Sequence, residues 1–401
     1  MKIDIAHSDM LAWLAAYDGE PFDSCVTDPP YHLTSIVKRF GGANAAEAKD
    51  RDGLYKRASR GFMGKTWDGG DIAQRPETWR AVYDVLKPGA HLVSFAGTRT
   101  FHRMTVAIED AGFEIRDMLC WHYGSGFPKS HNQKDDFEGW GTALKPALEP
   151  ICLARKPLGE KTVAANLARY GVGALNIDQT RILTGAGDDS RLGGNGSWKT
   201  TQEQLGHTVT LPRGEVSSSQ LGRWPANVLH DGSDEVVGMF PDSNGQQGDL
   251  SGHSRDRVSI GIYGDMGAAR DFPARNDEGS AARFFYSAKA GPLDRLGTAH
   301  ATVKPVDLMR WLVRLVTPAG GRVLEPFAGS GTTGIACMAE GFDCQMIELE
   351  AEHVTDIQRK LDYLLGKGGL SVIEKHKAKR DREAKDGALD DAGPLFNVEA
   401  A

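Results

Sequence analysis

The sequence predicts an α/β fold on a mainly parallel sheet, from three observations. Short apolar runs alternate with amphipathic helical stretches over residues 1–123 and again over 304–365, with brief Gly- and Pro-marked turns between them. One apolar run, Phe22 to Val26, stops at Asp28-Pro29-Pro30-Tyr31. Another, Arg322 to Leu324, leads into the turn Glu325-Pro326-Phe327-Ala328-Gly329-Ser330-Gly331 and then directly into a helical stretch.

Taken in order, Lys2 to Ala6 alternates as a strand, and Asp9 is placed to cap a helix from Met10 to Tyr17. After the buried run comes Asp28-Pro29-Pro30-Tyr31. Two prolines cannot continue a ladder, and each holds the residue before it extended. The Asp28 carboxylate and the Pro29 carbonyl therefore form a stiff acceptor array beside the Tyr31 ring. Such an array suits a flat partner with an amino group to donate.

Residues 32–70 read as a loop insertion rich in Gly and in basic side chains, among them Lys38, Arg39, Lys56, Arg57, Arg60 and Lys65, with Phe62 and Trp67 interleaved. A solvated charge run and phosphate contact are both open for it. Then follow a helix from Glu77 to Leu86 ended by Lys87-Pro88-Gly89, a strand from His91 to Ala96, a helix from Phe101 to Ala111 and a strand from Glu114 to Trp121.

The pattern changes at Gly124. Residues 124–290 are irregular, with Gly-rich stretches at Gly185 to Gly196 and Asn244 to Gly267, and are expected to form a separate lobe. Regular structure returns at Lys304. Val306, Met309, Leu312, Val313 and Val316 share one helical face, followed by the strand Arg322 to Leu324 and the glycine turn. A helix from Thr332 to Glu340, a strand from Cys344 to Ile347 ended by Glu348, and a helix from Glu352 to Leu365 complete the unit. Residues 369–401 form a charged tail.

Strand, glycine turn, helix, strand and acid make up a mononucleotide-binding unit. Gly329 and Gly331 lack Cβ atoms where a ligand must approach, Thr332 and Thr333 are candidate caps, and the helix start behind them offers free N–H groups. Glu348 follows Gly329 at close to the roughly 20-residue spacing that lets an acid reach both hydroxyls of a ribose. The turn has neither a third glycine nor a Gly-Lys-Ser/Thr ending, so the dinucleotide fingerprint and the P-loop are both absent. That favours a ligand with a ribose and no polyphosphate, such as S-adenosylmethionine.

Composition narrows the class further. The formal net charge of −7 confines any nucleic-acid surface to a local patch. Five scattered cysteines without a CxxC pair predict free thiols, a reducing compartment and no zinc site. The stretch MKIDIAHSDM is unlike a signal peptide and no apolar run approaches membrane-spanning length, so the expectation is a soluble cytoplasmic protein.

Asp28-Pro29-Pro30-Tyr31 and Phe327-Ala328-Gly329-Ser330-Gly331 together resemble the catalytic and cofactor motifs of the amino-group DNA methyltransferases, which modify N6 of adenine or N4 of cytosine. The order, catalytic motif first and cofactor motif last, is similar to the permuted β group. His300 to Pro305, with Thr302 and Lys304, resembles that group's third cofactor element, and Ser8-Asp9 its adenine-contacting element. Gly61 to Lys65, Gly124 to Lys129, Gly222 to Gly232 and Arg283 to Lys289 are similar to bacteriophage- and prophage-type members.

The resemblance implies a Rossmann-like methyltransferase sheet in circularly permuted order. Residues 1–123 would be its catalytic half, 124–290 a target-recognition lobe and 291–368 the cofactor half. It implies S-adenosyl-L-methionine as cofactor, held by Asp9, Asp28, Thr302, Lys304, Glu325, Phe327, Gly329, Ser330, Gly331, Thr332 and Glu348. Asp28, Pro29, Pro30 and Tyr31 would be catalytic, with Tyr31 stacking on a flipped base. Double-stranded DNA is the implied partner, contacted by Lys38, Arg39, Lys56, Arg57, Arg60, Lys65, Trp67 and Lys129, and a homodimer is allowed. One departure is Glu325, where the family usually has Asp. Adenine is the favoured target and N4 of cytosine the runner-up. A methyltransferase acting on RNA or a protein amide, and a non-catalytic DNA-binding module, are the alternatives from other classes.

Overall fold

A computed structural model describes residues 1–31, 71–126, 130–182, 223–242, 260–261, 264–265, 279–288, 294 and 303–366. The strands in chain order are β1 (Ile3–His7), β2 (Phe22–Thr27), β3 (Leu86–Phe95), β4 (Glu114–His122), β5 (Leu148–Arg155), β6 (Val228–His230), β7 (Ile260–Gly261), β8 (Gly264–Asp265), β9 (Tyr286–Ser287), β10 (Arg322–Glu325) and β11 (Asp343–Glu348). Nine of them form one sheet in the order β1-β11-β10-β2-β3-β5-β4-β6-β9, and β7 and β8 pair apart from it. Every pairing from β1 across to β3 is parallel, whereas β5 runs antiparallel to both β3 and β4.

The helices are α1 (Met10–Ala15), α2 (Pro76–Asp84), α3 (Phe101–Asp110), α4 (Val163–Tyr170), α5 (Asp234–Val237), α6 (Val306–Val316), α7 (Thr332–Glu340) and α8 (Ala351–Gly366). Alternate strand residues feed two cores, as a sheet covered on both faces requires. Val93, Ile151 and Leu153 pack with Leu312 of α6, Ile335 of α7 and Ile357 of α8. Their neighbours Leu92, Cys152 and Ala154 pack with Leu14 of α1, Trp79 of α2 and Ile108 of α3. Among the described residues, no helix is long and apolar enough to cross a membrane.

The expected elements form with shifts of a few residues, and three differences have clear causes. Helix α2 ends at Asp84, and β3 already starts at Leu86. Pro88 is accommodated because the register with β2 jumps from Phe22↔Leu86 to Ser24↔His91, leaving an irregular stretch where its missing N–H costs nothing. The expected caps Thr332 and Thr333 do not cap α7. Its N-cap is Gly331 in the left-handed region, with no side-chain cap bond.

The third difference concerns residues 124–290. Within this stretch, expected as a separate lobe, β5, β6 and β9 join the main sheet, while β7 and β8 pair apart from it. β5 is a short apolar run that precedes the Gly-rich stretches, and β6 and β9 are only three and two residues long, too short for a periodic signal. The basic loop 32–70 and the tail 369–401 lie outside the described residues.

Candidate active site

The crevice is set by topology. From β10 the chain crosses by α7 to β11 on one side, and from β2 it crosses by α2 to β3 on the other. The connections thus diverge where β10 meets β2, which is a switch point of the doubly wound sheet, where ligand crevices form beyond the strand ends. Val323 pairs with Ser24 and Leu324 with Cys25 there. The turn after β10 and the Asp28-Pro29-Pro30-Tyr31 segment after β2 therefore emerge side by side.

On the β2 side, the Asp28 carboxylate stands at the centre of a charged cluster. Its Oδ2 accepts from Lys304 Nζ at 2.6 Å, and its Oδ1 accepts from the Tyr31 hydroxyl at 2.8 Å. Glu149 Oε2 lies 3.1 Å from both Tyr31 Oη and Lys304 Nζ. Lys304 also reaches Tyr31 Oη at 3.2 Å and sits 4.8 Å from the centroid of Phe95.

Burial on its own would lower the Lys304 ammonium, but the carboxylates of Asp28 and Glu149 and their hydrogen bonds hold it above its ordinary value. Tyr31 is pushed well up by burial and then by the two carboxylates, so its hydroxyl keeps its proton. The Tyr31 carbonyl accepts from Thr100 Oγ1 at 2.8 Å, and the ring lies so near Gly97 that a Cβ there would meet it at 3.2 Å. The turn between β3 and α3 thus fixes the tyrosine.

On the β10 side, Glu325 is buried at 2% exposure. It accepts from Thr27 Oγ1 at 2.5 Å, from the Phe327 N–H at 3.0 Å and from Thr333 Oγ1 at 2.6 Å. Its carboxyl is raised to about 8, chiefly by burial and also by the Asp28 charge, against the lowering effect of those three donors. Glu325, a residue expected at the cofactor, ties the end of β2 to the glycine turn and to α7 through these bonds.

Gly329 and Gly331 take positive φ, 50° and 76°. At Gly331 the close neighbour is protein, since a Cβ would sit 2.8 Å from Ile357 of α8. The same helix sends Lys360 to the Ser330 carbonyl at 2.8 Å, while Ser330 and Thr332 share a hydroxyl contact at 2.8 Å.

Glu348 ends β11, and its Oε2 accepts from the Gly329 N–H at 2.7 Å while Oε1 accepts from the Glu350 N–H at 2.9 Å. Burial would raise this carboxyl, but His353 and those two N–H groups outweigh it and hold it below the usual range. Asp9 caps α1 by accepting from the Ala12 N–H at 3.0 Å, just past the end of β1. Since His7 is in register with Glu348, Asp9 belongs to the same edge of the sheet.

The structure thus brings Asp9, Asp28, Pro29, Pro30, Tyr31, Lys304, Glu325, Phe327, Gly329, Ser330, Gly331, Thr332 and Glu348 to one edge. Lys304, expected at the cofactor, is bonded to Asp28, which is expected there too. Thr302 and the expected DNA-contacting residues Lys38, Arg39, Lys56, Arg57, Arg60, Lys65, Trp67 and Lys129 lie outside the described residues. Sequence reasoning missed Glu149, Thr27, Gly97, Thr100 and Lys360. Only Glu149 carries a local signal, an acid and a proline opening the apolar run Ile151 to Ala154.

Fold and site together define a class, a doubly wound α/β protein in which a nucleoside-type turn and a carboxylate strand end share one crevice. The chain belongs to the DNA methylase family of the N6/N4 type, whose family model matches residues 22–359. It is a DNA methyltransferase that uses S-adenosyl-L-methionine. The type II methyltransferase M.HindIII of Haemophilus influenzae is 25% identical over 363 residues, spanning 83% of this chain and 86% of that protein. M.XycI of Xanthomonas campestris pv. cyanopsidis is 44% identical over 57 residues, 14% of this chain and 19% of its own. The E. coli DNA adenine methyltransferase YhdJ is 30% identical over 95 residues, 24% of this chain and 32% of its own. Among solved structures, the M1.HpyAVI–SAM complex aligns at a TM-score of 0.42 with 15% identity, covering 90% of this chain and 99% of that one.

The residues present fit such a cofactor. A carboxylate has about four acceptor directions. Glu348 gives two to backbone N–H groups and has His353 near Oε1, so its Oε2 side keeps room for a ribose hydroxyl.

Proposed function

We propose that this protein is a site-specific DNA methyltransferase that modifies the N6 amino group of adenine in double-stranded DNA. The observation that carries the reading is the pairing of β10 with β2, which sets Asp28 beside the glycine turn. Asp at the head of the Pro-Pro-Tyr motif favours adenine by resemblance. So does the stretch shared with YhdJ, itself a DNA adenine methyltransferase.

An exocyclic amine is a weak nucleophile because its lone pair is delocalised into the ring. Asp28 and the Pro29 carbonyl accept its two N–H bonds and draw the nitrogen toward tetrahedral geometry. Lys304 and Tyr31 hold the Asp28 carboxylate in place while it does so. Bound S-adenosylmethionine supplies an electrophilic methyl group on sulfur. Glu348 and the Gly329 turn orient the nucleoside end, and positioning supplies much of the rate. Asp28 or water takes the proton that the amine releases.

The base must leave the duplex to reach this crevice, since its amino group is otherwise paired. The basic residues of 32–70 and Lys129 contact the phosphate backbone, and the part of 124–290 outside the main sheet reads the target sequence. The order of motifs corresponds to a circular permutation of the methyltransferase sheet. Digesting DNA methylated by the protein and identifying the modified nucleoside by mass spectrometry tests the reading. N6-methyladenine is expected. N4-methylcytosine would move the assignment to the runner-up, and transfer to RNA or protein alone would end it.

A further inference from the structure

Glu149 is built into the same cluster as Asp28, through Tyr31 and Lys304. Because β5 is antiparallel to β3, its first residues arrive at the edge where the parallel strands end. Phe95, the last residue of β3, pairs with Ile151, so Glu149 reaches just past that edge. By strand alternation it shares the face of Ile151 and Leu153, the face covered by α6. Lys304 enters from the residues preceding α6. Their side chains are 21% and 8% exposed.

Counting donors shows what Glu149 does there. An ammonium has three N–H bonds and a phenol one. Lys304 directs its three to Asp28 Oδ2, Glu149 Oε2 and Tyr31 Oη. Tyr31 has one proton for two carboxylates, at 2.8 Å and 3.1 Å. Among the described carboxylates, Lys304 without Glu149 would have Asp28 alone, whose charge would be spent on the buried ammonium and not on an incoming amine.

We infer that Glu149 is a positioning residue for methyl transfer, acting through Lys304: it balances the ammonium and so leaves the Asp28 carboxylate as the net acceptor for the target amine. This rests on the assignment of Asp28 as that acceptor. Among the described residues, the charged and titratable groups around Asp28 are Lys304 and Tyr31 in direct contact, Glu149 behind them, Tyr123 just past the end of β4 near Glu149 and Lys304, and Glu325 on the β10 side.

The test is a charge cycle on the full-length protein, with labelled-methyl transfer to DNA measured across pH. Glu149→Gln removes the negative charge and keeps the shape. It is expected to lower kcat about tenfold or more, to leave KM for S-adenosylmethionine within about twofold, and to move the acid limb of the pH–rate profile down by about one unit, since Lys304 is then unbalanced. Lys304→Met should move the limb up, and the double variant should bring it back toward the wild-type position. Glu149→Asp keeps the charge and should hold the limb near wild type at a reduced rate.

An unchanged acid limb in Glu149→Gln, or a double variant no closer to wild type than the singles, overturns the proposal. Should Glu149→Gln not fold, a limb displaced in Glu149→Asp as in Lys304→Met overturns it equally. Asp28→Ala run in parallel separates the two levels. Activity in that variant removes the acceptor assignment itself, whatever Glu149 does.

Discussion

The hydroxyl of Thr27 donates to the carboxyl of Glu325 at 2.5 Å, across 298 positions of sequence. Thr27 is the last residue of β2, immediately before Asp28, and Glu325 is the last of β10, immediately before the glycine turn. Through Thr333 and the Phe327 N–H the same carboxyl also holds the start of α7 and the turn itself. One buried side chain thereby sets the spacing between the amine-accepting and cofactor sides of the crevice.

That carboxyl makes stability depend on pH with a definite sign. Its folded value of about 8 lies above the ordinary 4.5, so folding takes up a proton between those values. The stabilisation is complete below about pH 4.5 and is lost as pH rises through 8, with a slope of at most about 1.4 kcal/mol per pH unit. Glu325→Gln imitates the protonated form. Calorimetry should show a stability difference between variant and wild type that shifts in favour of the variant as pH rises from 6 to 9. A difference independent of pH would mean that Glu325 is ionised in the fold.

Asp28→Ala should abolish methyl transfer to DNA while S-adenosylmethionine binds within a few-fold of wild type, because the Glu348 side of the crevice is untouched. Titration calorimetry and labelled-methyl transfer measure the two independently. Turnover at the wild-type rate would exclude Asp28 from the chemistry.

Gly331→Ala meets two obstacles, a φ of 76° and a new Cβ 2.8 Å from Ile357. Backbone strain of about 1–2 kcal/mol adds to overpacking of about 1–3 kcal/mol. The expected result is a melting temperature lower by several degrees and weaker cofactor binding. An unchanged melting curve would mean that α8 yields at this point.

Glu348→Gln replaces a charged acceptor by an amide that must also house two donor hydrogens next to the N–H groups of Gly329 and Glu350. Cofactor affinity should fall about tenfold, the scale of one charge-assisted hydrogen bond. Calorimetric titration with S-adenosylmethionine checks this. An unaltered Kd would place the ribose elsewhere on the edge.

Much of the site was legible in the chain because its parts are local. Asp28-Pro29-Pro30-Tyr31 is stiff by virtue of its own prolines, and the β10–α7–β11 unit with Glu348 is a contiguous pattern of turn and periodicity. Glycine placement was legible too, though not its whole reason, since Gly331 makes room for Ile357. The protein partners of Lys304 and Glu325 were not legible, because Asp28 and Thr27 lie hundreds of positions away in the chain.

By itself, then, the sequence determined the elements, their order and two half-sites, all of which follow from periodicity and turn chemistry within short windows. Only the tertiary structure decided that β10 lies against β2 and that β5 enters antiparallel between β3 and β4. Strand neighbours are chosen by burial of whole faces over hundreds of residues, which no local pattern records. That choice completes the crevice, and it brings Glu149 to Lys304 at 3.1 Å.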